Sequence, residues 1–382
     1  SFLTAAESWN GTSWTSVASL NTGRNGVFSA GADNTSALCS GGNAPPVSAL
    51  TEEWNGSSWT ETGDLNTARY LGGSAGTASS GLNFGGNPGT LTATEEWNAG
   101  LPVGAWSTGG SLNTARNYLA GSNAGTQTAS LAFGGTPPVT AATESYNGSA
   151  WTEVNDLNTA RSALAGAGTS TSALAFGGSA PPQVTNNESF NGTSWTEVAD
   201  LNTARDALGG VGSTNTSALA FGGNPPITGI TELWNGSSWT EVADLNDSRE
   251  WIAGAGTNTA ALGFGGSSPG YTANTELWNG SSWSEVNNLN VAKGYMAGAG
   301  TSTSALGFGG FSPPSTNVAQ TEEWNGTSFT EVGDLSTGRF GLGGSGSTSS
   351  ALAFGGYDGS VKAVTEEWLG AGSPVVQTFT DS

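Results

Sequence analysis

The chain of 382 residues has no histidine. This removes Ser-His-Asp and Cys-His arrangements and nearly all zinc and copper sites, which depend on imidazole. It has one cysteine, Cys39, so no internal disulfide can brace the fold and packing must hold it. Nine basic residues face 30 acidic ones, for a formal charge of −21. Nucleic acid and anionic membrane surfaces both select for a cationic footprint, so neither is expected as a partner. No apolar run is long enough to cross a bilayer, so membrane insertion is not expected either. No signal peptide is visible and the first residue is Ser1, which suggests a processed chain or one cut from something longer. The glycine-rich stretches lack the lysine of a phosphate loop, and no Asp-x-Asp calcium loop occurs. No cofactor and no metal are expected.

What the chain does have is glycine (61 residues), tryptophan (15 residues) and a repeat. A glutamate two residues before an aromatic recurs at Glu7, Glu52, Glu95, Glu144, Glu188, Glu232, Glu276, Glu322 and Glu366. A Gly-Gly pair recurs eight times, beginning at Gly41, Gly85, Gly134, Gly177, Gly222, Gly265, Gly309 and Gly355. Self-similarity at roughly 45 residues indicates repeated supersecondary units that bury their apolar faces only by packing on one another. Each unit reads as four short strands, of the types ALAGAG, SALAFGG, TEEWN and SWTEV. The Asn-Gly step between the last two, such as Asn55-Gly56, predicts a two-residue type I′ hairpin with Trp54 opposite Ser57. Both Trp54 and Trp59 then project from one face onto a neighbouring unit. The third unit has a longer join, from Asn98 to Ala105.

The paired glycines after the second strand, the aromatic before the turn and the Trp after it (Gly177-Gly178, Tyr146 and Trp151) resemble the kelch-repeat family, whose repeats also build the central domain of galactose-oxidase-like proteins. The small, Gly- and Thr-rich phrasing is most similar to kelch-type repeat proteins of marine tailed phages. The resemblance implies an all-β, kelch-like β-propeller of about eight four-stranded antiparallel blades, or alternatively seven. Some kelch relatives are copper radical oxidases, but their histidine ligands have no counterpart here.

The expected organisation is one propeller domain over residues 1–360, followed by residues 361–382 as a closing or subunit-contact segment. Nine third-and-fourth-strand halves occur against eight first-and-second halves. The N-terminal half is expected to complete the C-terminal blade, leaving the chain from about Val361 free for contact with another copy.

Eight of the nine basic residues occupy one repeat position: Arg24, Arg69, Arg116, Arg161, Arg205, Arg249, Lys293 and Arg339. Solubility would scatter them, so this placement predicts structural ion pairs with the repeat glutamates and nearby carbonyls. The partners expected are Glu52, Glu95, Glu144, Glu188, Glu232, Glu276 and Glu322. Neighbouring glutamates such as Glu366-Glu367 point to opposite faces of a strand and do not converge as an acid/base pair. The second of each pair reads as solvated. Cys39 falls at a strand packing position and reads as a buried thiol.

Strand direction places the loops before the first strand and after the second on one face. Their residues vary from unit to unit: Tyr70, Tyr118, Asp206, Glu250, Trp251, Tyr271, Tyr295, Phe311, Phe340, Tyr357 and Asp358. Fourteen tryptophans occupy third- or fourth-strand positions, whereas Trp251 lies outside them. Aromatics on stiff, variable loops suit recognition. The expected function is therefore a non-enzymatic virion or extracellular protein, either binding a cell-surface glycan or protein partner or acting as an architectural subunit among other structural subunits. A glycan-active hydrolase is the remote third reading.

Overall fold

The computed structural model describes residues 3–381, apart from 66, 77, 79, 89–93, 99–103, 315 and 371–377. Strands and turns make up the described residues. The chain divides into two compact units, Ser1–Pro102 with Ala371–Ser382, and Val103–Gly370.

In the first unit, β1 (Ala6–Trp9) and β2 (Trp14–Val17) form a two-stranded sheet on their own. Strands β3 (Phe28–Asp33), β4 (Ser36–Ser40), β5 (Thr51–Trp54) and β6 (Trp59–Thr62) make a four-stranded antiparallel blade in chain order. Strands β7 (Gly73–Gly76), β8 (Ser80–Phe84) and β9 (Thr94–Asn98) supply three strands of a second blade.

The second unit begins with β10 (Ala105–Gly109). Four blades follow in chain order. They are β11 (Ala120–Gly121), β12 (Ser130–Phe133), β13 (Thr143–Tyr146) and β14 (Trp151–Val154); then β15 (Ala165–Thr169), β16 (Ser172–Phe176), β17 (Asn187–Phe190) and β18 (Trp195–Val198). Next come β19 (Gly209–Thr214), β20 (Ser217–Phe221), β21 (Thr231–Trp234) and β22 (Trp239–Glu241); then β23 (Ala253–Gly256), β24 (Ala261–Phe264), β25 (Thr275–Trp278) and β26 (Trp283–Val286). The fifth blade joins β27 (Ala297–Thr301) and β28 (Ser304–Phe308) to β31 (Thr321–Trp324) and β32 (Phe329–Val332). Its loop carries a small ribbon, β29 (Phe311–Ser312) with β30 (Thr316–Asn317). The sixth blade is β33 (Gly343–Ser347), β34 (Ser350–Phe354) and β35 (Thr365–Leu369), completed by β10. The last strand, β36 (Thr378–Asp381), pairs with β9 in the first unit.

Eight four-stranded antiparallel sheets of propeller-blade type result. Their closure departs from the single eight-bladed ring expected over residues 1–360. In the second unit the inner strands β11, β15, β19, β23, β27 and β33 follow one another, and β33 returns to β11. Six blades therefore close on themselves. The inner strands are small because they crowd. A Cβ on Gly166 would lie 2.3 Å from the Gly121 carbonyl oxygen, and one on Gly298 2.5 Å from that of Gly254. In the second unit a Phe at the end of each second strand packs on the fourth-strand ring of the next blade, as in Phe133–Trp195 and Phe176–Trp239, each at 5.0 Å. Several of these tryptophans also donate the indole N–H to the preceding blade, as Trp195 does to Thr143 Oγ1 at 3.2 Å; Trp239 does not.

Three expectations are corrected. First, β9 and β10 do not form a hairpin, although they are consecutive. Strand β10 fits the sixth blade because Trp106 packs edge-on against Phe308 (4.8 Å), tilts onto Trp368 (5.3 Å) and donates to Thr321 Oγ1. Second, the surplus half-blade is the N-terminal β1–β2, not the C-terminal segment. Strands β35 and β36 are both paired within the chain, so the segment after Val361 is not left free. Third, the Asn-Gly turn is wider than a type I′ hairpin. Trp54 lies opposite Trp59, across a loop of Asn55 to Ser58. The Asn55 Oδ1 accepts the Ser57 and Ser58 amides, which stabilises an Asx-type loop and leaves positive φ to Gly56 alone. The two Trp rings consequently share one face, 5.4 Å apart.

Candidate functional site

The eight repeat cations lie beneath the loops, each beside the glutamate of its own blade's third strand. Arg24–Glu52, Arg69–Glu95, Arg116–Glu144, Arg161–Glu188, Arg205–Glu232, Arg249–Glu276 and Lys293–Glu322 are 2.5–3.2 Å apart. Arg339 pairs with Glu366, which sequence reasoning left out of the partners. All sixteen residues are buried. The arginine fork also reaches carbonyls: Arg161 Nη1 donates to Gly177 and Asn186, and Nη2 to Ala175. Lys293 reaches the single carbonyl of Gln320. The second glutamate oxygen receives the next motif residue. Glu188 Oε2 accepts the Asn158 amide and its side chain at 2.6 and 2.8 Å. Thus the Asn of the Asp-Leu-Asn-Thr-Ala-Arg motif has a structural role the sequence reading missed. Glu367 departs from its solvated reading: it accepts the Tyr146 hydroxyl at 2.5 Å, and burial with this bond pushes that phenol up to about 12. Cys39 is buried, and burial raises its thiol pKa, which keeps it protonated.

Two residues beyond each cation of the second unit, the chain turns inward with positive φ. The residues are Tyr118, Ala163, Ala207, Trp251, Tyr295 and Gly341, with φ between 51° and 62°. Their backbones form a closed circle of hydrogen bonds. Tyr118 N–H donates to the Gly341 carbonyl, Ala163 to Tyr118, Ala207 to Ala163, Trp251 to Ala207, Tyr295 to Trp251, and Gly341 to Tyr295, at 2.7–3.2 Å. A positive φ strains bulky residues in particular, yet three aromatics hold it here. Glycine at this repeat position, Gly26 and Gly341, was the sequence signal for that conformation, and it was missed.

Inside the circle is a cavity of about 100 Å³. Its floor is the next residue of each blade: Leu119, Leu164, Leu208, Ile252, Met296 and Leu342. Its walls differ by sector. Trp251 stacks on Tyr295 (4.2 Å, 21° between planes), and Tyr118 meets Trp251, Tyr295 and Phe340 at 5.1–6.1 Å. Tyr271, Phe311 and Tyr357 extend this wall outward at 5.4–6.2 Å contacts. All seven rings are half-buried. Ala163 and Ala207 leave the opposite wall open.

Asp206 and Glu250 immediately precede the circle residues Ala207 and Trp251 in adjacent blades. Asp206 accepts from Gln183 Nε2 at 3.1 Å, a residue the sequence reading missed. Burial holds the Asp206 carboxyl above its ordinary value. Burial, and then the charge of Asp206, does the same to Glu250. Burial also keeps the Tyr118, Tyr271 and Tyr295 hydroxyls protonated, and the Glu250 charge adds to this at Tyr271 and Tyr295. The site thus offers aromatic faces and phenolic donors beside one opening, with the Glu250 carboxylate near Tyr271 and Tyr295.

Of the remaining loop candidates, Asp358 is held by Lys362 at 3.0 Å on the outer side of its loop. Tyr70 belongs to the first unit, where its backbone pairs with Asn87. Ten of the eleven sequence candidates therefore fall in the second unit, and nine of those, all but Asp358, belong to the aromatic cluster at the cavity mouth or to the Asp206–Glu250 pair.

No protein-family model matches the chain, and no curated protein matches it. Among solved structures it is similar to one titled "Structure of YjhT", with a TM-score of 0.57 and 14% identity over 72% of this chain and all of that one. The likeness shows the β-propeller fold.

Proposed function

We propose that the chain is a non-enzymatic adhesion module of a virion or cell exterior, and that the loop face of its six-bladed ring binds a glycan. One observation carries this reading: a cluster of seven half-buried aromatic rings borders an axial opening with an apolar floor, and the Glu250 carboxylate stands near two of its tyrosines, Tyr271 and Tyr295. A pyranose has the matching character, with apolar C–H faces that pack on rings and hydroxyls that donate to carboxylates. Three strained, half-buried aromatics at the mouth add to this support, since such strain concentrates at ligand sites.

A glycan array with wild type and Trp251→Ala tests it. Wild type retains one family of saccharides, and Trp251→Ala loses at least about ten-fold in affinity for them, as expected for removing a central aromatic. The variant should melt near wild type, because Trp251 lies outside the blade cores. Silence from both proteins on the array overturns the reading.

A second reading, architectural assembly, draws on the first unit. Trp9 and Trp14 of the half-blade are 44% and 64% exposed, against 1% and 6% for their repeat counterparts Trp234 and Trp239. A change of oligomeric state in Trp14→Ser, by sedimentation, with saccharide binding intact, would support that reading.

A further inference from the structure

The half-blade β1–β2 is seated on the next blade as a full blade is. Asn34 Nδ2 donates to Ser8 Oγ and the Trp9 carbonyl, as Asn215 Nδ2 does to Ser189 Oγ and the Phe190 carbonyl. The Leu20 and Arg24 amides donate to the Thr4 and Leu3 carbonyls, as those of Leu157 and Arg161 do to Ala141 and Thr140. The pair thus holds the place of a third and a fourth strand, yet among the described residues β1 pairs with β2 alone. Three groups around that edge lack what their repeat counterparts have. Glu7 is exposed with no ion pair among the described residues, whereas the other eight repeat glutamates are buried beside a cation. All nine basic residues of the chain are paired elsewhere. Trp59 is half-buried with Trp54 as its ring neighbour among the described residues, whereas Trp195 and Trp239 are also covered by a Phe from the preceding blade's second strand. Ser29 of β3 is exposed, whereas Gly166 at the same position of β15 is buried against Gly121 of the preceding blade. A cleft of about 360 Å³ between the half-blade and the next blade is lined by Glu7, Trp9, Trp14, Ala37, Trp54 and Trp59 among others.

We propose that β1–β2 is a docking site for a β-hairpin of a second polypeptide, which completes the half-blade in trans by pairing its second strand with the open edge of β1. The inference rests on the architectural reading of the half-blade and names its partner. The eight four-stranded blades of this chain define that partner's chemistry. Its first strand carries small residues, because it must lie against β3. A Phe ends its second strand and covers Trp59. An Arg or Lys stands four residues before its first strand, as Arg161 does before Ala165, and reaches Glu7. The unpaired backbone groups of an edge strand supply affinity. The cation supplies selection, because the hairpin buries Glu7, and a buried carboxylate without a counter-charge is costly. A second copy of this chain has no such hairpin to offer, since its eight first-and-second-strand pairs are each held in a blade of their own.

The probe is a synthetic peptide with the sequence from Asn158 to Gly178, which contains Arg161, one first-and-second-strand pair and Phe176. Fluorescence anisotropy of the labelled peptide, titrated with the whole protein, measures binding. The peptide should bind saturably. Arg161→Ala in the peptide and Glu7→Gln in the protein should each weaken binding at least about ten-fold. Combined, they should cost no more than either alone, because both remove the same ion pair. Glu61→Gln, at an exposed acid of β6 outside the site, should leave the affinity unchanged, which separates the pair from attraction to the net charge of −21. Glu7 is exposed, so its variant should melt with wild type. Hydrogen exchange of the Ala6–Trp9 amides should slow when the peptide is bound. Affinity unmoved by Glu7→Gln, or β1 amides unmoved by the peptide, overturns the inference. No peptide binding, with a changed oligomeric state in Trp14→Ser, overturns it and leaves assembly through a second copy standing. No peptide binding and no change of oligomeric state overturn both this inference and the architectural reading. The glycan reading is untouched by any of these outcomes.

Discussion

At the scale of single residues, the repeat cation is the clearest case of sequence placement becoming energy. Arg161 is buried and satisfies three carbonyls and Glu188. Arg161→Ala strands that carboxylate and should cost about 3–5 kcal/mol. Lys362→Ala, which breaks a half-exposed pair, should stay within about 0.5 kcal/mol. Denaturant unfolding of the two variants checks the contrast. At Lys293 a point charge stands where seven blades have a fork, and among the described residues Glu322 Oε1 has no hydrogen bond there. Asp206 and Glu250 have the opposite sign of effect. Their folded carboxyls are raised above the unfolded value, so folding favours their protonated forms. Their contribution is most favourable below the unfolded values and is lost as pH rises through the raised ones. Asp206→Asn/Glu250→Gln should therefore melt higher than wild type at pH 7, with the gap closing toward pH 4. Thermal melts at both pH values measure it.

At the scale of elements, the strands were legible because each has its own residue pattern. Gly-Gly ends the second strand, and Glu with an aromatic marks the third. The cation position was legible for the same reason, as were the loop aromatics, which break an otherwise regular repeat. What escaped the sequence was pairing between distant strands. Strands β9 and β35 share the start Thr-Glu-Glu-Trp, so local residues do not tell either which fourth strand to take. The circle of six hydrogen bonds was illegible too, because it is made by backbone groups and only Gly26 and Gly341 hinted at its φ. The circle has a measurable signature. Its amides have no free end from which to fray, so those of Ala163 and Ala207 should exchange with solvent only on global opening. The Leu71 amide of the first unit bonds to Gly26 outside any described circle and should exchange faster. Hydrogen exchange resolved to single amides compares them. Trp59 shows how one position tunes an element. Among the described residues its indole N–H has no acceptor, because Ala6 stands where most blades have the Thr hydroxyl; Trp239, beside Asn187 at that position, also lacks one.

At the scale of the whole molecule, the second unit contains every strand of its six blades, including both partners that close the ring, β10 and β35. A fragment of residues 103–370 should therefore fold alone, melt cooperatively and keep the saccharide binding of the full chain. Loss of near-UV signal or binding in the fragment would show that the ring depends on the first unit. The charge of −21 disfavours compactness through self-repulsion, and moderate salt should raise the melting temperature of both proteins.

The pairing of β10 with β35 also sets a clock on the ribosome. Contacts between these strands span about 260 residues of chain. At about 5–20 residues per second, β10 is synthesised roughly 13–50 s before its partner. Through that interval the strand of matching repeat position beside it is β9, which in the finished protein is taken by β36. The nascent chain must hold β10 in reserve past its nearest suitor, and the six-bladed ring closes only as its last blade is translated.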